Sequence, residues 1–323
     1  MGFVALIFAL LIEQGRPLAA GNPAYRAATG LADLVRGATD AGERQHGMIG
    51  WLAVVGLGVG GVVALEWAAA WLHPLALFVV HVAVLYLTVG FRQFSHAFTE
   101  IQVALASDDP DGARRVLERW LNRADPDDLS DRPRRDTPVN EVCRQAIAHA
   151  LVAAHRHVFG PLFWYILLPG LVGPVLYRLA EMLAQRWGDT VAEGAARVEE
   201  PYGHFATRAY AVIDWLPARL SAAGFAIVGN FEDAVYCWRG AVAAGTTGDQ
   251  RALLLASGGG ALGLRVAEPA LEARWASGEQ GFEWQGAEPD ASGLRSAVGL
   301  VWRSVVLWIS LFAMLTIAAW LGR

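Results

Sequence analysis

The sequence predicts an all-α, polytopic membrane protein with four or five transmembrane helices and helical loops outside the bilayer. Three observations carry that prediction. The 323 residues are 54% hydrophobic and 18% charged, with a mean hydropathy of +0.33, whereas a soluble domain carries about a quarter charged residues. Several uncharged runs approach or exceed the ~20 residues needed to cross the hydrocarbon core. A single block, residues 107–141, has 17 charged residues out of 35 and belongs in water.

The first long run, Met48 to Leu72, carries one charge, Glu66, and its Gly56, Gly58, Gly60 and Gly61 allow close helix contact in a membrane. After His73-Pro74 the apolar run Leu75 to Gly90 turns back, so residues 48–90 read as a transmembrane hairpin. Ser304 to Leu321 is an uncharged run of 18 residues, and residues 300–323 read as the last span. Phe159 to Tyr177 is also uncharged but holds Pro161, Pro169 and Pro174. Proline removes a backbone donor, so this run predicts a broken or re-entrant helix as readily as a straight span. Trp215 to Gly229, with Pro217 and Arg219, completes a broken region over 159–230 as a fifth span.

Residues 1–47 read as an interfacial or partly inserted apolar helix, Gly2 to Ile12, followed by a cytoplasmic segment. The apolar run is too short to cross and lacks the basic flank of a signal peptide. Residues 91–158 form a cytoplasmic helical region. In it Asp109-Pro110 caps a helix whose Ala113, Val116, Leu117, Trp120 and Leu121 share one face. Residues 231–299 are Gly-rich and polar and read as a further extramembrane unit. The ten Arg of residues 91–158 and the four before Met48 fall on one side of the hairpin, which the positive-inside rule assigns to the cytoplasm.

Every one of the 26 basic residues is Arg. That excludes a P-loop lysine and a Schiff-base lysine, and leaves cationic sites that bind anions rather than exchange protons. The net charge of −5 argues against a nucleic-acid partner. Cys143 and Cys237 match no zinc or redox spacing.

Glu66 and His81 are the informative polar residues inside the hairpin. Each lies seven or eight residues from the His73-Pro74 turn, roughly 10–12 Å along its helix, so the two are level and predicted to pair. The pair is either a proton or substrate site or a clasp between helices. His149, His155 and His157 do not converge on a face with a carboxylate or thiol, so no metal is expected there. Gly258, Gly260 and Gly263 spell a literal G-x-G-x-x-G, but the Ala/Leu-rich flank reads as a helix packing on its neighbours rather than a nucleotide loop. Two polar segments are candidates for holding a phosphate or carboxylate. Arg132-Pro133-Arg134-Arg135-Asp136-Thr137 sets guanidinium groups beside a hydroxyl and reads equally as a solvated loop. Asp214 and Arg219 bracket Pro217 and read as either a helix start or an anion site.

These segments also carry a family resemblance over most of the chain. Arg135-Asp136-Thr137, Gly160-Pro161-Leu162-Phe163-Trp164, Asp214-Trp215-Leu216-Pro217-Ala218-Arg219-Leu220 and Gly260-Ala261-Leu262-Gly263-Leu264 resemble, in that order, motifs of the CobD/CbiB membrane proteins of cobalamin biosynthesis. The resemblance implies a multi-pass protein of the bacterial inner membrane, and an ATP- and Mg2+-dependent amide formation between a corrinoid carboxylate and aminopropanol or its phosphate. The synthases of the family carry an acidic cluster, E-x-x-A-E-N-x-x-D-G, before the P-L-F-W block. Here that stretch reads Ala148-His149-Ala150-Leu151-Val152-Ala153-Ala154-His155-Arg156-His157. The N-T-L-D-S-M block is replaced by sequence around Glu181-Met182-Leu183-Ala184, and the paired aspartates before L-P-A-R-L by Tyr210-Ala211. Arg and His cannot replace carboxylates around Mg2+. The middle region is similar instead to the AmpE membrane proteins, which are linked to cell-wall signalling. The expectation is therefore a divergent member that keeps the fold and binds an anionic ligand at the cytoplasmic interface as a sensor or modulator. Arg135, Asp136, Thr137, Asp214 and Arg219 are its ligand candidates. Amide synthesis is the alternative, with Mg2+ and ATP as cofactors in that case only. The partners implied are the lipid bilayer, an anionic or corrinoid small molecule and, as an option, a second copy of the chain.

Overall fold

A computed structural model describes residues 2–16, 22–90, 92–124, 133–134, 136–188, 201–246, 248–277, 284 and 286–322. Their order is α1 (Gly2–Gly15), α2 (Pro23–Thr39), α3 (Arg44–Leu72), α4 (Pro74–Thr88), α5 (Arg92–Ala106), α6 (Pro110–Ala124), α7 (Val139–Ala154), a π-helical turn (His155–Phe159), α8 (Gly160–Leu167), α9 (Val172–Trp187), α10 (His204–Val228), α11 (Phe231–Ala243), α12 (Gln250–Leu262), α13 (Pro269–Ala276) and α14 (Ala291–Leu321). The described residues contain no β-strand, only an isolated bridge between Leu264 and Ala287. The protein is an all-α membrane protein.

Among the described residues, three helices, α3, α10 and α14, are long and apolar enough to span a bilayer. Protein covers only 22% of the most apolar stretch of α3 and 17% of that of α14. Side chains such as Leu57, Trp71, Met314 and Trp320 therefore face outward, which only lipid makes favourable over this much area. The shorter apolar helices α1 and α4, of 14 and 15 residues, reach about 21–23 Å and fall short of the ~30 Å core if held straight.

Two of the expected spans differ in extent. The run 159–177 is broken: α8 ends at Leu167, Gly170 takes a left-handed φ of +65°, and α9 begins at Val172. Pro169 sits in that break, where its missing N–H costs no helical hydrogen bond. The segment expected over 215–229 starts eleven residues earlier, at His204, because α10 carries Pro217 inside an unbroken helix. Among the described residues, the four or five expected spans correspond to three full-length candidates and two shorter apolar helices.

The chain divides into two compact units. The first covers residues 1–93, 125–129 and 160–214. Its core joins Val35 of α2, Trp51 and Val54 of α3, Leu183 and Trp187 of α9, and Tyr202 before α10. A paired contact from Arg186 Nε and Nη2 to Asp33 at 2.5 and 2.6 Å ties α9 to α2. Arg186 holds the Asp33 carboxyl below its ordinary range.

The second unit covers residues 94–124, 130–159 and 215–323. Its centre is α12, buried from Ala252 through Ala261, against which α7, α11 and α14 pack. Asp249 caps α12 by accepting from Ala252 N–H, and Gly263 ends it with φ +67°. The buried residues of α14 run from Gly293 to Trp308, and beyond Trp308 its residues are half-buried or exposed.

Candidate functional site

Polar side chains gather in the membrane part of the first unit. Glu66 on α3 and His81 on α4 meet at 2.9 Å, Oε1 to Nε2, with each side chain under one-fifth exposed. Helix rise brings the two together: α3 and α4 join at His73, whose ring accepts from Leu75 N–H, so positions nearly equidistant from it are level. Glu66 Oε1 also accepts the N–H of Leu171, at 3.2 Å, from the break between α8 and α9. Gly170 makes that approach possible, since a Cβ there would stand 2.6 Å from Glu66 Oε1. On its other side His81 Nδ1 lies 3.2 Å from the Tyr165 hydroxyl of α8, which donates to the carbonyl of Gly2 at 3.1 Å. The intramembrane carboxylate therefore has partners from α4 and from the α8–α9 break, and His81 links it onward to Tyr165 of α8.

Asp214 lies in the same unit, 4% exposed. It accepts the Tyr177 hydroxyl at 2.8 Å, and Tyr177 lies 3.2 Å from the Tyr210 hydroxyl. One turn further along α9, buried Glu181 pairs with Arg178. The carboxylate is thus committed to an internal tyrosine network.

The remaining ligand candidates fall in the second unit. Arg135 lies outside the described residues. Asp136 is exposed. Thr137 closes a tight turn, its hydroxyl accepting from Arg134 N–H at 2.7 Å, and its carbonyl accepts from Arg114 Nε at 2.8 Å. Arg114 is held in turn by Asp111 at 2.6 Å. Arg219 donates to the Trp215 carbonyl at 2.9 Å and stacks its guanidinium 3.9 Å above the Trp215 ring. Residues five apart on one α-helix point about 140° apart, so Asp214 turns inward while Arg219 stays at the surface.

The Arg- and His-rich stretch before Pro161 is built into the second unit's packing. His149 meets the edge of Trp120, ring centroids 4.5 Å apart. Loss of hydration, with Arg251 and Arg156 nearby, pushes its pKa down to about 3, so it is neutral at physiological pH. His155, 1% exposed, meets the Ser221 hydroxyl at 2.9 Å. Arg144 grips Glu141 at 2.6 and 2.7 Å. Among the described residues no three His, Cys, Asp or Glu side chains stand close enough to hold a metal ion. The donor set present there does not fit Mg2+, which requires oxygen ligands.

The G-x-G-x-x-G stretch is packing. A Cβ on Gly260 would stand 2.5 Å from the Asp233 carbonyl oxygen, and one on Gly258 would stand 2.7 Å from Leu151 Cδ1. All three glycines belong to α12 or its end, with no preceding strand to aim a phosphate loop.

Sequence reasoning singled out Glu66, His81 and Asp214 but passed over Tyr165, Tyr177 and Gly170. A hydroxyl inside an otherwise apolar run was the available signal for both tyrosines. Nothing local identifies Gly170, whose role depends on a residue more than a hundred positions away.

The family model for CobD/Cbib protein matches residues 6–301. A cobalamin biosynthesis protein CobD of Stutzerimonas stutzeri strain A1501 is 30% identical over 321 residues, covering 95% of each chain. A second protein of that name, from Chromobacterium violaceum strain ATCC 12472, is 32% identical over 249 residues, or 76% of this chain and 73% of its own. No solved structure is detectably similar.

Proposed function

The chain belongs to the CobD/CbiB family, and from that premise we propose that it serves cobalamin biosynthesis as an inner-membrane protein that binds an anionic corrinoid-type ligand in a modulator role. Pathway and ligand class rest on two relatives named for cobalamin biosynthesis. The observation that carries the modulator reading is the donor set. Where synthases of the family are expected to gather acids, this chain has Ala148, His149, Val152, His155 and Arg156, with His149 and His155 engaged by Trp120 and Ser221. A donor set of this kind does not suit a Mg2+-bound nucleotide, whose metal needs oxygen ligands. The ligand's negative groups are assigned to the Arg135–Thr137 loop and to Arg219, on the cytoplasmic side that the Arg-rich segments indicate. Asp136 serves as a polar neighbour in that loop, and Asp214 acts from behind by fixing α9 against α10.

A second reading, the amide-forming synthase itself, is favoured by the 30% identity to a CobD protein across 95% of both chains. Expression in a strain lacking its cobinamide-phosphate synthase separates the two. The modulator reading expects no restoration of corrinoid-dependent growth, with the protein detectable in the membrane fraction. Restored growth would overturn it in favour of the synthase.

A further inference from the structure

The hydrogen bonds around Glu66 determine where its protons are. A tyrosine hydroxyl has one proton to give, and Tyr165 gives it to the Gly2 carbonyl, 3.1 Å away. The contact between that hydroxyl and His81 Nδ1, 3.2 Å, then requires a proton on Nδ1. With Nδ1 already an N–H, the 2.9 Å contact from Nε2 to Glu66 Oε1 needs one further proton, either on the ring or on the carboxyl. The pair itself is neutral in both placements, as imidazolium with carboxylate or as imidazole with carboxylic acid. Neutrality is the condition under which two ionisable groups persist at this depth.

We propose that Glu66 and His81 form a one-proton binding site within the membrane part of the first unit, and that occupancy of this site sets how α1 is seated. When the shared proton leaves, the carboxylate faces the bare Nε2 lone pair at 2.9 Å, and the two must part. His81 then turns away from Tyr165, which is the link between α8 and the first turn of α1. Four elements meet at the site. α3 brings Glu66, α4 brings His81, α8 brings Tyr165, and the α8–α9 break brings the Leu171 N–H. α1 adds the Gly2 carbonyl. The shared proton is released as pH rises, so the seating of α1 holds on the acid side and loosens on the alkaline side. Gly170 is part of the site, because any side chain at its φ of +65° would displace Glu66 from Leu171 N–H.

The test uses the full chain in lipid nanodiscs with 15N-labelled histidine, titrated across the range in which the fold persists. His81 is expected to keep a proton on Nδ1 throughout, with one titration seen at Nε2. In Glu66→Gln the side-chain amide donates to Nε2, and that titration is expected to disappear. A wild-type His81 with bare Nδ1 and a protonated Nε2 would overturn the proposal, as would an unchanged titration in Glu66→Gln. The wild-type spectrum alone decides the first point, so the proposal stays testable if the variant fails to fold. Hydrogen exchange on Tyr165→Phe reads the coupling. Amides in the first two turns of α1 are expected to exchange at least tenfold faster while α3 is unchanged. Equal protection of α1 in wild type and variant would refute the link between the site and α1.

Discussion

Replacing Gly260 by Ala tests whether the glycine run of α12 is a packing surface. The added Cβ would stand 2.5 Å from the Asp233 carbonyl oxygen and 2.8 Å from Ala234 Cα. Both belong to the backbone of α11, which cannot rotate aside, so the two helices must separate by roughly 1 Å to restore ordinary contact. Overpacking of this kind costs about 1–3 kcal/mol, and rigid backbone on one side puts Gly260→Ala near the upper end. Two neighbours calibrate the figure. Gly258→Ala meets Leu151 Cδ1, the end of a flexible side chain, and is expected to cost about 1 kcal/mol. Gly263→Ala has open space but a φ of +67°, so its cost is backbone strain alone, about 1–2 kcal/mol. Unfolding of the detergent-solubilised variants, followed by loss of helical signal, should rank Gly260→Ala as the least stable. A neutral Gly260→Ala that instead abolished ATP binding would refute the packing argument and restore the phosphate-loop reading.

Other residues give predictions of the same kind. Glu141→Ala leaves the Arg144 guanidinium, 7% exposed, with the Val266 carbonyl as a residual acceptor, and should cost about 2–4 kcal/mol in the same unfolding assay. His149 should show no titration between pH 5 and 8 by histidine NMR, because its pKa is pushed to about 3. Arg186 lowers the Asp33 pKa from its ordinary 3.8, so their pair contributes stability above that pH and loses it as pH falls through the lowered value. Both side chains are about half exposed, which limits the contribution to about 0.2–1 kcal/mol. Arg186→Gln should accordingly be slightly less stable at neutral pH and converge with wild type in acid.

The fold was legible where the physics is local. An apolar run with one charge and a His-Pro turn dictates the α3–α4 hairpin, and helix rise alone brings Glu66 level with His81. The amphipathic face of α6 was equally visible, and Ala113, Leu117 and Trp120 are buried along it. What could not be read depends on contacts distant in sequence. Three prolines in 159–177 announced a disruption but not its place, which Gly170 fixes by leaving room for Glu66. The start of α10 at His204 was hidden by Arg208 and Asp214, charges that argue against a span until Tyr177 is found against Asp214. For the ligand candidates, spacing suggested that Asp214 and Arg219 act together. Helical phase separates them, sending one to a tyrosine and the other onto Trp215.

The central claim is that this family member binds an anionic corrinoid without joining it to an amine. The most direct measurement is equilibrium binding of a carboxylate-bearing corrinoid to the purified full chain in nanodiscs, with and without a chelator, followed by product analysis after addition of ATP, Mg2+ and aminopropanol phosphate. Saturable binding that survives the chelator, weakens at least tenfold in Arg219→Gln and yields no amide is the predicted result. Formation of the amide, or binding that requires Mg2+, would contradict it.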